Sequence, residues 1–96
     1  MVRDPIRIHD VAFTPAGARA RARGVLGYVA VCMNDGVRVP GFKVVRLPDG
    51  RHQLWFPTKL DEHGVHHAVL EPRGPAARRS IERQVFAELR LQGWLT

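Results

Sequence analysis

Between Gly50 and Leu89 the apolar spacing changes period once, and that change limits the folds open to this chain. Leu54-Trp55-Phe56 reads as a short strand. Pro57 follows, and with no N–H for a ladder it ends a strand or sits at an edge. The polar pair Thr58-Lys59 comes next, and Gly64 can take positive φ and turn the chain into a short return strand between Val65 and Leu70. After Pro75 the pattern is helical. Ala77, Ile81, Val85 and Leu89 recur every four residues, with Phe86 widening the stripe. Pro75 suits a first helical position, where its missing N–H is an orphan anyway. A helix from Pro75 to about Leu91 follows, ended by Gly93, with Trp94-Leu95 tucking back.

Upstream the chain reads as β-structure. Ile6-x-Ile8 and Val11-x-Phe13 suggest an irregular first strand, and Thr14-Pro15-Ala16-Gly17 a turn. Arg19, Arg21 and Arg23 alternate with alanine and read as a strand arm. Val25 to Met33 is a β-rich run, and Asn34-Asp35-Gly36 is a hairpin signal. Val37, Val39, Val44 and Val45 carry the next strand, bent at Pro40-Gly41, and Pro48-Asp49-Gly50 forms another hairpin turn. The expectation is an α+β fold: an antiparallel β-meander of four to five strands packed by one C-terminal helix.

The chain has 96 residues, so residues 1–96 form a single domain with one small core. Such a chain buries only about two thirds of its unfolded surface. Pairing with a second copy through open sheet edges would add burial and cover those edges. Net charge is +6 and the isoelectric point about 11.0. That balance points to a polyanionic partner, nucleic acid before a membrane surface. Of the 15 basic residues 13 are Arg, whose planar fork suits phosphate, although Arg-favouring codons give the same bias. Cys32 is the single cysteine. It excludes an internal disulfide and a multi-cysteine zinc site, and its apolar setting reads as a buried structural thiol. Val25 to Met33 is far shorter than the roughly 18 residues that span a bilayer. The N-terminus has no signal-peptide pattern, so a cytoplasmic protein is expected.

The order of motifs resembles the SpoVG family of bacterial sporulation and septation proteins. That family carries Met-Pro-Ser/Asn-Lys/Arg, a Gly-centred hairpin, Asp-Ile-x-His-Pro-Ile, and a helix with Arg, Ile, Val and Glu at set places. Phe56-Pro57-Thr58-Lys59 is similar to the first motif, Gly64 to the hairpin glycine and Pro72 to the third motif's proline. Arg78, Ile81, Val85 and Glu88 match the helix, and Phe42-Lys43-Val44-Val45 looks like the family's Ile-Arg-Val-Ile strand. The likeness is continuous from about His52 to Leu89 and looser back to Val25. Pro40-Gly41, Leu60, Glu71 and Arg73 stand where the family has other side chains. The resemblance implies a homodimer that binds DNA or RNA.

Candidate phosphate ligands crowd the helix start: Arg73, Arg78 and Arg79, with Arg83 and Arg90 further along. Cations at a helix N-terminus and a like-charge pair at i,i+4 each cost a few tenths of a kcal/mol. A sequence that accepts both penalties fits an anion site; the alternative is a solvated basic face offset by Glu82 and Glu88. In a strand, Arg19, Arg21 and Arg23 would share one face about 7 Å apart and could track a phosphate backbone, or simply keep an exposed arm soluble. Lys59 matches a basic position of the family. Trp55 and Phe56 suit either base stacking or core and dimer packing. His63, His66 and His67 cluster at the Gly64 hairpin without a known zinc spacing, so no metal site is expected. No phosphate-cradling Gly loop, Ser-centred elbow or zinc-protease helix is present, and Ser80 is the only serine. No catalytic residue, cofactor or small-molecule substrate is expected. The leading function is nucleic-acid binding through phosphate contacts. The alternative is a protein-interaction module of cell division or regulation.

Overall fold

Tight turns at Asn34 and around Gly50 set a four-strand meander. A computed structural model describes residues 6–96. The N-terminal reading against a signal peptide draws on residues 1–5, which lie outside the described residues. Strands β1 (Ile8–Pro15), β2 (Val25–Met33), β3 (Val37–Arg46) and β4 (His52–Trp55) form one antiparallel sheet in that order. Asn34 takes φ 52° in the β2–β3 turn, a conformation that a short polar side chain tolerates. Its Oδ1 accepts the Arg7 N–H at 3.0 Å, and its own N–H donates to the Arg7 carbonyl at 2.8 Å. The turn therefore also holds the approach to β1.

The bend expected at Pro40-Gly41 is a bulge. Val29 pairs with Phe42 and Val31 with Val39, so Pro40 and Gly41 of β3 stand opposite the single Ala30 of β2, one residue extra to the ladder. A bulge is where a strand accommodates a proline. It keeps Phe42 and Val44, on one side of the bulge, and Val39, on the other, all on the buried face.

Helix α2 (Pro75–Leu91) covers that face. Ile81, Val85 and Leu89 are fully buried against Val29, Val31, Phe42, Val44 and Leu54. Burying each such aliphatic side chain contributes roughly 1.5–3 kcal/mol. Phe86 and Leu95 are buried as well, while Ala77 is only half-buried. Trp94 stays half-exposed and rests on Phe13 with ring centroids 4.8 Å apart. Phe13 in turn lies over Gly27, where a Cβ would overlap its ring and come within 2.7 Å of the Thr14 carbonyl.

The polar flanks of α2 close the edges of the sheet. On β4, the Leu54 N–H donates to Glu82 Oε2 at 3.1 Å, and the Leu54 carbonyl accepts a long 3.4 Å bond from the Arg78 guanidinium. On the β1 side, Gln84 Oε1 accepts the Ile8 N–H at 2.9 Å while Gln84 Nε2 donates to the Ile6 carbonyl at 2.8 Å. One carboxamide thus imitates a neighbouring strand. Gln92 Nε2 adds a 2.9 Å bond to the Val11 carbonyl.

Two local readings need correction. Arg19 to Arg23 do not form a strand: Ala18–Ala22 is a short helix, α1, with Gly17 as N-cap and Arg23 as C-cap. Alanine and arginine are among the strongest helix formers, and their alternation only mimicked a strand period. Thr58–Leu60 is strand β5, paired with β6 (His66–Ala68) in a separate two-stranded ribbon. Pro57 marks the break between β4 and this ribbon. Cys32 is half-buried rather than buried.

The clamp at Gln84 yields a stability prediction. Gln84→Ala leaves the Ile8 N–H and Ile6 carbonyl without their partner, at a cost of about 1–2 kcal/mol. Urea unfolding should show a lower midpoint at unchanged slope.

Candidate nucleic-acid interface

Helical geometry sorts the arginines of α2. At 100° per residue, Arg79, Arg83 and Arg90 fall within about 40° of arc and about 16 Å of axial length. All three are exposed. With Ala76, Ser80, Glu82 and Phe86 they line a shallow, open groove of about 530 Å³. Among the described residues Glu82 is the only carboxylate in that lining, and it accepts the Leu54 N–H. The Arg79 guanidinium makes no hydrogen bond or ion pair with the described residues. Arg79 and Arg83, one turn apart, are both exposed.

Arg78 behaves differently. Its guanidinium sits 4.7 Å from the centroid of the Phe56 ring and reaches the Leu54 carbonyl. The Phe56 ring makes an edge contact with Phe42, ring centroids 5.2 Å apart. Arg78 thus links the helix start to the core. A second groove of about 230 Å³ runs from Arg78 and Arg79 to Leu47, Arg51, His52 and Gln53 on the β3–β4 side. Arg51 there is tied to Asp49 Oδ2 at 2.6 Å. The Arg51 backbone N–H first, and its guanidinium second, hold the Asp49 carboxyl below the usual carboxylate range.

Arg73 is exposed in the loop just ahead of Gly74, the N-cap of α2. The first turn of that helix has no side-chain cap and no acidic residue. The remaining sites lie apart from this surface. Lys59 is on the ribbon, across from His67. Arg19 and Arg23 are four residues apart along α1, whereas Arg21 projects differently and lines an apolar groove with Phe13, Pro15, Leu26 and Trp94. The expected row of three guanidiniums does not exist, because a helix does not align alternate residues. Arg90 shares the helix face of Arg83, as its spacing of seven residues indicates. Arg51 was not legible, since only the β3–β4 turn brings it to the helix.

The three hairpin histidines have three separate partners. His67 Nε2–H donates to Asp61 Oδ2 at 2.7 Å, His66 Nδ1 lies 3.3 Å from Thr58 Oγ1, and His63 Nε2 lies 3.6 Å from Glu62. Among the described residues no group of three or more His, Cys, Asp or Glu side chains is placed to hold a metal ion. Asp61 Oδ1 also accepts the backbone N–H groups of His63 and Val65 at 2.8 and 2.9 Å, which shapes the Gly64 turn.

Comparison of the chain with protein-family models, curated proteins and solved structures returned no match. Among the described residues no helix is long and apolar enough to cross a membrane.

The Asp61 turn carries a pH dependence. The bond from His67, then the Val65 and His63 N–H groups, hold the Asp61 carboxyl below its ordinary value. A depressed carboxylate stabilises the fold above its unfolded pKa of about 3.9 and loses that contribution as pH falls through the lower folded value. Amide protection factors at His63 and Val65, relative to the unfolded chain at the same pH, should therefore fall below about pH 4, and Asp61→Asn should abolish that acid-dependent loss.

Proposed function

We propose that the chain is a nucleic-acid-binding regulatory protein of the SpoVG sporulation and septation type, acting by binding rather than catalysis. Its phosphate contacts come from the outward arginine face of α2, chiefly Arg79 and Arg90 with Arg83 between them. The carrying observation is that face: three exposed arginines on one groove, whose one carboxylate among the described residues, Glu82, accepts the Leu54 N–H. Arg73 and Arg51 extend the positive surface at the helix start. Lys59, Arg19, Arg21 and Arg23 supply general positive potential rather than one contact line. Neutralised phosphates release counterions, so affinity falls with salt. The positions that carry the SpoVG resemblance support the same reading, since Ile81 and Val85 form the core of α2 and Arg78 anchors its start. A cytoplasmic location fits such a ligand.

A homodimer through sheet edges belongs to this reading. Ile6, Ile8, Val11 and Leu54 give outward backbone groups to α2, which directs edge pairing towards the β5–β6 ribbon. One observation favours a second reading, a protein-interaction module without a nucleic-acid role: Leu60, Val65 and Val69 on or beside the ribbon are each more than half exposed. Affinity capture after nuclease treatment separates the two. Loss of all partners supports the first, and retained protein partners support the second.

The variants sort the arginines. Arg79→Gln with Arg90→Gln should weaken binding to all nucleic-acid sequences and reduce the slope of log affinity against log salt by about two, one per lost phosphate contact. Arg78→Ala should instead lower the unfolding midpoint and leave that slope nearly unchanged. An unchanged slope in the double variant would contradict the reading.

A further inference from the structure

The sheet face turned away from α2 carries one side chain from each strand in a single row. Thr14 pairs with Tyr28, Tyr28 with Lys43, and Lys43 with Trp55. Directly opposed residues share a face, and the buried neighbours of these four point the other way: Val29, Phe42, Val44 and Leu54 are all in the core. Adjacent strands lie about 4.8 Å apart, so Tyr28 and Trp55 stand roughly 10 Å apart with Lys43 between them. Tyr28 is 40% exposed and Trp55 46%. Trp55 Nε1–H donates to Gln53 Oε1 at 2.9 Å, which fixes the indole along its own strand.

Beside Tyr28 the sheet is low. Ala12 pairs with Ala30, and with Thr14, Arg38, Pro40 and Gly41 they line a depression of about 230 Å³. Lys43 lies in the row and Arg38 on the wall of the depression. No carboxylate belongs to either set. Two aromatic rings flanking a cation on an open sheet match what an unpaired strand offers: base faces for stacking and a phosphate between them. A duplex keeps its base faces stacked inside and cannot use the rings. A second copy laid on this face would set Lys43 and Arg38 near their own counterparts, a like-charge arrangement that costs energy.

We propose that this face is a platform for single-stranded nucleic acid, with bases stacked on Tyr28 and Trp55 and the backbone neutralised by Lys43 and Arg38. It rests on the nucleic-acid reading above but uses the opposite side of the sheet from the α2 arginines. The chain would then hold duplex or backbone through α2 and unpaired bases through the sheet.

The chain has two tryptophans, so Trp94→Phe leaves Trp55 as the only tryptophan, which can be excited selectively over Tyr28, while keeping an aromatic ring against Phe13. Oligothymidylate should quench Trp55 emission, and a duplex of equal length should not. Trp55→Ala and Tyr28→Ala should each weaken single-strand binding about five- to hundredfold, leave duplex binding unchanged, and keep the wild-type circular dichroism. Trp55→Phe should restore most of the affinity. Oligothymidylate binding without Trp55 quenching, or single-strand affinity unchanged in both alanine variants, overturns the platform and leaves the α2 reading standing. Absence of binding to any oligonucleotide at low salt overturns both. A concentration-dependent blue shift of Trp55 that oligonucleotide does not reverse assigns the face to a second copy and overturns the platform.

Discussion

A four-strand open sheet has two rows of backbone groups with no further strand to meet, and a single helix answers both. Glu82 and Arg78 take the N–H and carbonyl of Leu54 on one edge, and Gln84 takes Ile8 and Ile6 on the other. An unpaired, partly buried backbone group costs about 1–3 kcal/mol, a large share of the stability of a domain this small. The apolar stripe of α2 fixes which face it covers. Its polar flanks fix where across the sheet it lies.

That placement decides which arginines face solvent. A helix that buries Ile81, Val85 and Leu89 presents the opposite arc to solvent, and Arg79, Arg83 and Arg90 occupy it. Arg78 stands one position away from Arg79 yet turns to the Phe56 ring and the sheet edge. The two neighbours therefore have different duties, one in the fold and one on the surface. The same helix also leaves the other face of the sheet uncovered, where Tyr28, Lys43 and Trp55 line up.

Local chemistry made much of the fold readable in advance. The helix bounds followed from Pro75 and the four-residue stripe, the turns from Asn34-Asp35-Gly36 and Pro48-Asp49-Gly50, and the bend from Pro40-Gly41. What stayed hidden depended on partners distant in sequence. Gln84 and Ile8 are 76 residues apart, and nothing local distinguishes Gln84 from any exposed glutamine. The row from Thr14 to Trp55 depends on bulges in two strand pairs, and a one-residue slip would send each side chain to the other face. The Arg19 to Arg23 segment misled because alternation on paper resembles a strand, while residue propensity favours a helix. Of the candidate site, Arg79 and Arg83 were legible from helical spacing; the commitment of Arg78 to Phe56 was not.

The division of labour along α2 is the central claim, and side-chain nuclear magnetic resonance tests it directly. Arginine Nε–Hε signals would be followed while an oligonucleotide is titrated into the labelled protein. The account predicts that Arg79 and Arg90 shift progressively while Arg78 stays near its starting position. Movement of Arg78 with Arg79 and Arg90 stationary would contradict it.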